Sequence, residues 1–172
     1  MRKSVLKYYF LLLGFSFLLL YSCKMNYSFS GASVSPDVKT ISIITFRNNA
    51  SLAPPTISQT LTEAIKDIFT SQTKLGIVSR DGDLNIEGEI TNYLTSPVAI
   101  QSNDQAARNR LTITINVRFT NIKDEKQNFE TTFSRYVDYP STQSLTAVQD
   151  QLIQQINDQL VQDIFNKTMV NW

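Results

Sequence analysis

Apolar and polar residues alternate most regularly between positions 111 and 120. Leu111, Ile113, Ile115, Val117 and Phe119 alternate with Thr112, Thr114, Asn116, Arg118 and Thr120. A period of two over that length predicts a strand with one covered face and one polar face. An earlier stretch repeats the pattern, with Leu84, Ile86, Gly88 and Ile90 set between Asn85, Glu87, Glu89 and Thr91. In "NFETTFSRYVDYP", Phe129, Thr131 and Phe133 share one side. The tight link "KDEK" at 123–126 predicts a hairpin between the last two strands. A longer polar loop, "VAIQSNDQAARNR", joins the first two. Two more β-type segments lie upstream, "DVKTISIITF" and the short "LGIVSR".

The period changes in two places. After Pro54 and Pro55, which suit the first turn of a helix, Ile57, Leu61, Ala64, Ile65, Ile68 and Phe69 recur at helical spacing. Near the end, Leu145, Val148, Leu152, Ile156 and Leu160 form a second stripe in a helix over roughly 143–167, with Thr142 or Ser144 able to cap it. Ile153, Ile164 and Phe165 widen that stripe. The order is β-α-β-β-β-β-α. Two helices with one apolar face each can cover the apolar face of one sheet, so the pattern predicts a two-layer α+β domain. The hairpins make the sheet mostly antiparallel, and the β-α-β start adds a parallel pair.

The first residues follow another logic. "MRKSVLK" is basic, and "YYFLLLGFSFLLLY" is an apolar run too short to span a bilayer comfortably. Together they predict an export leader over residues 1–22. Leu20-Tyr21-Ser22-Cys23 resembles a lipobox, and Cys23 is the sole cysteine of the chain. A lone thiol in an exported protein has no disulfide partner, which points to lipidation of Cys23 as the first mature residue. Residues 23–36, rich in Ser and small side chains, are predicted to be a lipidated tether, and 37–172 a single domain. Three acyl chains would hold the protein to a membrane far more firmly than one.

Composition narrows the chemistry. Without Arg2, Lys3 and Lys7 of the leader, 13 basic residues face 15 acidic ones, a net charge of −2. Such a balance gives no reason to expect nucleic acid as a partner. The chain has no histidine and no thiol after Cys23. Histidine bases, cysteine nucleophiles and Cys/His zinc sites are therefore excluded. With no Gly-rich phosphate loop and no nucleophile elbow, the chain is expected to be no enzyme and to carry no cofactor and no metal. Twelve Gln and 13 Asn make the polar surface amide-rich rather than charged.

Few residues stand out as candidate sites. "DGD" at 81–83 fails the calcium-loop spacing and is expected to be a turn. Glu87 and Glu89 could form a carboxylate pair, but on an open sheet face they are expected to be solvated. Asn49-Ala50-Ser51 fits a glycosylation sequon, which loses force in a bacterium. Arg108 and Arg110 flank the start of a strand beside the long loop. They are two apart, so on a strand they point the same way and could dock a phosphate. Lys123 and Lys126 lie at the other end of that strand and cannot join them in one patch.

The lipobox cysteine, "YSFSGASVSPDVKTISIITFRNNA", the proline-started helix, and "DLNIEGEITNYLTSPVAI" followed by a hairpin and a C-terminal helix together resemble the LptE family of lipopolysaccharide-assembly lipoproteins. The resemblance covers nearly all of the chain after Cys23. It implies two helices on a mixed four-stranded sheet. It also implies an outer-membrane lipoprotein that sits as a plug inside a β-barrel translocon of the LptD kind, helps it assemble, and helps deliver lipopolysaccharide to the outer leaflet. Arg108 and Arg110 are the candidates for touching that lipid, on chemistry alone. The alternative is a periplasm-facing lipoprotein that binds a small ligand or peptide in a groove.

Overall fold

The regular alternation at 111–120 lies in the strand with neighbours on both sides along nearly its full length. The computed structural model describes residues 35–98 and 107–169, all within one compact unit. The predicted leader and Cys23 lie outside the described residues, as do most of the tether and positions 99–106 of the long loop. The elements run β1 (Thr40–Ile43), β2 (Arg47–Asn48), α1 (Ile57–Gln72), β3 (Gly76–Val78), β4 (Leu84–Val98), β5 (Arg108–Asn121), β6 (Phe129–Pro140) and α2 (Leu145–Met169). A single turn of 3-10 helix, Glu125–Gln127, closes the hairpin between β5 and β6.

The sheet order is β3-β1-β4-β5-β6, with β2 beside β4. Pairing is antiparallel for β4/β5 and β5/β6, and parallel for β1/β3, β1/β4 and β2/β4. The two-layer α+β expectation holds, but the sheet has six strands, not four, and is partly parallel. One extra strand has a clear cause. β1 runs along β4 until Ile44, whose N–H still bonds the Ile86 carbonyl at 2.9 Å. The chain then leaves the ladder so that Phe46 can turn into the core, where it is 1% exposed. Its N–H is taken by the Thr62 hydroxyl of α1 at 3.1 Å. The strand resumes as β2, and Asn49 N–H reaches the Ile90 carbonyl at 2.9 Å. Gly88 makes room for this detour, since a Cβ there would lie 2.5 Å from the Phe46 ring.

β4 is longer than its alternation predicts. The register shifts between Ile90 and Asn92, leaving Thr91 as a bulge. A bulge adds one residue and flips the facing of those that follow. The core side therefore passes from Ile90 to Tyr93, period two is lost, and the strand continues through Pro97 to Val98.

The core lies between the sheet and the two helices. Ile57, Leu61, Ile65 and Phe69 of α1 and Leu152, Ile156, Leu160 and Ile164 of α2 are buried against Ile41, Ile86, Ile90 and the odd-numbered residues of β5. Phe69 and Phe165 lock the helices edge to face, centroids 5.2 Å apart. Each such side chain contributes about 1.5–3 kcal/mol on burial. Ile115, beneath the helices, is fully buried. Among the described residues, neither helix is long and apolar enough to cross a membrane.

Candidate functional site

The helices leave one face of the sheet open, and the even-numbered residues of β5 point into it. At one end Arg118 donates to Glu87 on β4 and to Glu130 on β6, each at 3.2 Å. Asn116 donates to Glu130 at 2.9 Å. These bonds, Asn116 first and Arg118 next, hold the Glu130 carboxyl below its usual range. Beside them Glu89 accepts from Asn49 at 2.8 Å and pairs with Arg47 at 3.4 Å. Glu87 and Glu89 thus answer to different cations and do not act as a pair. The shallow depression between them holds about 170 Å³.

The other end of the same face carries Arg108 and Arg110. They share it as expected, but they are not equivalent. Cross-strand register sets Arg110 between Ser96 and Asp138, and Arg108 between Val98 and Pro140. Arg110 donates through both Nε and Nη2 to Asp138, at 2.7 and 2.9 Å. Its guanidinium carbon also lies 3.6 Å from the centroid of the Tyr136 ring. The hydrogen bond from Arg110 is the main reason the Asp138 carboxyl sits below its ordinary range. Arg108 is exposed, and among the described residues no carboxylate comes within ion-pair distance of it. Leu94 and Tyr136, 48% and 51% exposed, flank Thr112 on the far side of Arg110 from Arg108. An exposed guanidinium at the end of an open sheet face suits an anionic group such as a phosphate.

Lys123 and Lys126 stand at the far end of β5, as expected. Lys123 is occupied, pairing with Asp83 at 3.2 Å. The "DGD" segment is a turn with a structural task. Asp83 accepts from the Lys39 and Thr40 N–H groups and from the Thr40 hydroxyl, at 2.9, 3.0 and 3.0 Å. These bonds, led by Lys39 N–H, hold its carboxyl far below the normal range. Gly82 packs against β1 so tightly that a Cβ would lie 2.6 Å from the Ser42 nitrogen.

Sequence reasoning missed Asp138, Tyr136, Glu130 and Asp83 as partners. For the first three the signal was off by one residue. A link of 123–126 alone would set Arg118 opposite Thr131 and Arg110 opposite Tyr139. The strands are instead joined through 122–128, which sets Arg118 opposite Glu130 and Arg110 opposite Asp138. Asp83 had no such signal, because its partners lie 43 and 44 residues away.

Comparison with known proteins adds what geometry alone does not. The model of the LptE family, described as lipopolysaccharide-assembly, matches residues 38–168. Among solved structures, a protein from Xanthomonas campestris superposes with a TM-score of 0.50 at 14% identity, covering 81% of this chain and 91% of its own. A minor lipoprotein from Acinetobacter baumannii gives a TM-score of 0.49 at 14% identity, covering 76% and 91%. A lipoprotein from Caulobacter crescentus gives 0.42 at 13% identity, covering 70% and 83%. No curated protein sequence matches the chain.

Proposed function

Because the chain belongs to the LptE lipopolysaccharide-assembly family, we propose that it is an outer-membrane lipoprotein, anchored through Cys23, that plugs and helps assemble a β-barrel lipopolysaccharide translocon of the LptD kind. The family match over 38–168 is the observation that carries this reading. Surface chemistry supports it. Gln151, Gln154, Gln155, Gln159 and Gln162 of α2 are all exposed on the helical side. Thr112, Thr114, Thr132 and Ser134 line the open sheet face, outside the ladder of ion pairs. A barrel lumen is polar and wet, and a plug inside it needs hydrogen-bonding capacity on more than one side. Arg108, with Arg110 behind it, is the proposed contact for a lipopolysaccharide phosphate.

The test is extraction. A plug leaves the outer membrane in detergent together with a heat-modifiable barrel, at constant ratio through two purification steps. A protein that leaves the membrane alone, with no barrel at any detergent strength, overturns the reading. Metabolic fatty-acid labelling of the Cys23→Ala protein checks the anchor separately, and unchanged acyl incorporation would remove Cys23 from it.

A further inference from the structure

The two edges of the sheet differ greatly in length. Among the described residues, β3 ends one side with three residues, Gly76–Val78, and β6 ends the other with twelve, Phe129–Pro140. A long, regular edge is an open template for another strand unless something blunts it. β6 has no internal proline, no lysine and no bulge in its pairing with β5.

The register shows which backbone groups are open. Ser141 N–H donates to the Ala107 carbonyl at 3.0 Å, one step beyond the Arg108/Pro140 pair. Hydrogen-bonded and non-bonded pairs alternate along an antiparallel ladder. The odd-numbered residues of β6 therefore bond β5, and Glu130, Thr132, Ser134, Tyr136 and Asp138 turn their N–H and C=O groups outward. Pro140 falls in the outward set, where its missing N–H costs the ladder nothing. Among the described residues, no backbone group outside the β5 ladder bonds β6 between 130 and 138.

The edge also borders a groove. Thr132, Phe133, Ser134 and Arg135 of β6 face Asp163, Asn166 and Lys167 of α2 across an opening of about 470 Å³. Arg135 donates twice to Asp163, both bonds 2.6 Å, which pins the helix to the strand and sets the groove floor. Lys167 is exposed, 5.7 Å from the centroid of the Phe129 ring, and among the described residues has no carboxylate partner.

We infer that the outward edge of β6 and the groove beside α2 accept one extended strand of a partner polypeptide, which adds to the sheet and turns a carboxylate toward Lys167. Open N–H and C=O groups in strand geometry are matched best by another backbone, and strand addition beside a helix supplies affinity through the main chain and selectivity through alternate side chains. The positive end of the groove selects an acidic residue. This site is separate from Arg108 and Arg110 and does not depend on a lipopolysaccharide role.

The full chain in detergent micelles, labelled with 15N, is titrated with a short peptide of alternating threonine and valine carrying one glutamate. The expected result is that the amides of Glu130, Thr132 and Ser134 shift and exchange more slowly with solvent, while those of Thr131 and Phe133 do not. Thr132→Pro removes an outward donor and no ladder bond, so it weakens binding by roughly fivefold or more with the fold retained. Replacing the peptide's glutamate by glutamine weakens binding by roughly twofold to fivefold. Outward amides that stay still in the wild-type titration overturn the inference, whether or not the proline variant folds. So does unchanged binding by a folded Thr132→Pro protein. Concentration-dependent shifts of the same amides without peptide would give the edge to a second copy of this chain and overturn the partner-strand assignment.

Discussion

The two faces of the sheet are built from alternate residues of the same strands, yet they are held together differently. On β5, Leu111, Ile113, Ile115 and Val117 are all fully buried beneath the helices. One residue away, Thr112, Thr114, Asn116 and Arg118 lie on the open side, where Arg118 joins β4 to β6 through two carboxylates. The covered face relies on apolar area removed from water, which is worth several kcal/mol at each large side chain with its packing. The open face relies on exposed ion pairs, which add little to stability. Stability is thus concentrated on one side, and the other can carry recognition residues without loss to the fold.

The strongest way to break this division is to move charge across it. Ile115→Asp places a carboxylate under both helices with no partner. It is expected to cost more than about 4 kcal/mol and leave the domain unfolded at room temperature. Chemical denaturation followed by circular dichroism reads this directly, and a folded variant would mean that the helices do not seal this face. Arg118→Ala is the matching change on the open face, and its melt is expected to stay close to wild type.

A smaller effect is expected where the backbone is crowded. In Gly88→Ala, the new Cβ would lie 2.5 Å from both the Asn116 carbonyl oxygen and the Phe46 ring. The ring can move only by giving up its place in the core. Overpacking of this kind costs about 1–3 kcal/mol. If the melt is unchanged, the detour at Phe46 is not what divides β1 from β2.

That detour also marks the limit of what the sequence shows. The alternation on β5 and the stripes of both helices are local patterns, and each became the element it predicts. The hairpin also formed, but through a longer connection at 122–128 rather than a tight link at 123–126. Arg108 and Arg110 share a face because a period of two dictates it. Three features depend on contacts distant in sequence. β2 exists because Phe46 packs against Gly88, and neither of its two residues is buried. The second half of β4 lies beyond a bulge that breaks the alternation. The parallel β1/β4 pairing joins segments about 43 residues apart in register, and no local pattern encodes it. The pairing of Arg110 with Asp138 falls between these cases: the hairpin was legible, but its register was not, because a turn of 123–126 taken literally would set Arg110 opposite Tyr139.

A third prediction concerns the rim between the faces. Asp83 ties the start of β1 to the turn before β4. Its carboxyl is held far below its ordinary value in the fold, first by Lys39 N–H and then by the Thr40 hydroxyl. In the unfolded chain it titrates near the usual value of about 3.9. A depressed folded value means that the contribution is fully present above that range and is lost as pH falls below it. Thermal melts of the wild type should therefore drop between about pH 4 and the lowest pH at which it folds. Asp83→Ala should lower the melt at neutral pH and show a shallower drop in acid. Parallel curves for the two proteins would show that Asp83 is not the group responsible.

The last prediction has the smallest effect on stability and distinguishes the two ends of the open face. The end near Arg118 is neutralised by its own carboxylates, whereas at the other end Asp138 is bonded to Arg110 and, among the described residues, no carboxylate is within ion-pair distance of Arg108. Arg110 is already committed to Asp138, so the two arginines should not weigh equally on an anionic lipid. Arg108→Ala in the full chain is expected to weaken binding of purified lipopolysaccharide by about tenfold, the loss of one charged hydrogen bond to phosphate. Its thermal melt should be unchanged, because nothing in the core touches this side chain. Arg110→Ala should act less through lost contact than through its partner, by leaving the Asp138 carboxylate to repel the same phosphate. Adding Asp138→Asn to Arg110→Ala removes that repulsion and should restore part of the binding. Equal losses from the two single changes, with no recovery in the combined variant, would mean that Arg110 leaves Asp138 to reach the lipid. Unaltered binding by the Arg108→Ala/Arg110→Ala protein would place lipid recognition elsewhere. Loss of the barrel with lipid binding intact would assign this end of the sheet to the protein interface.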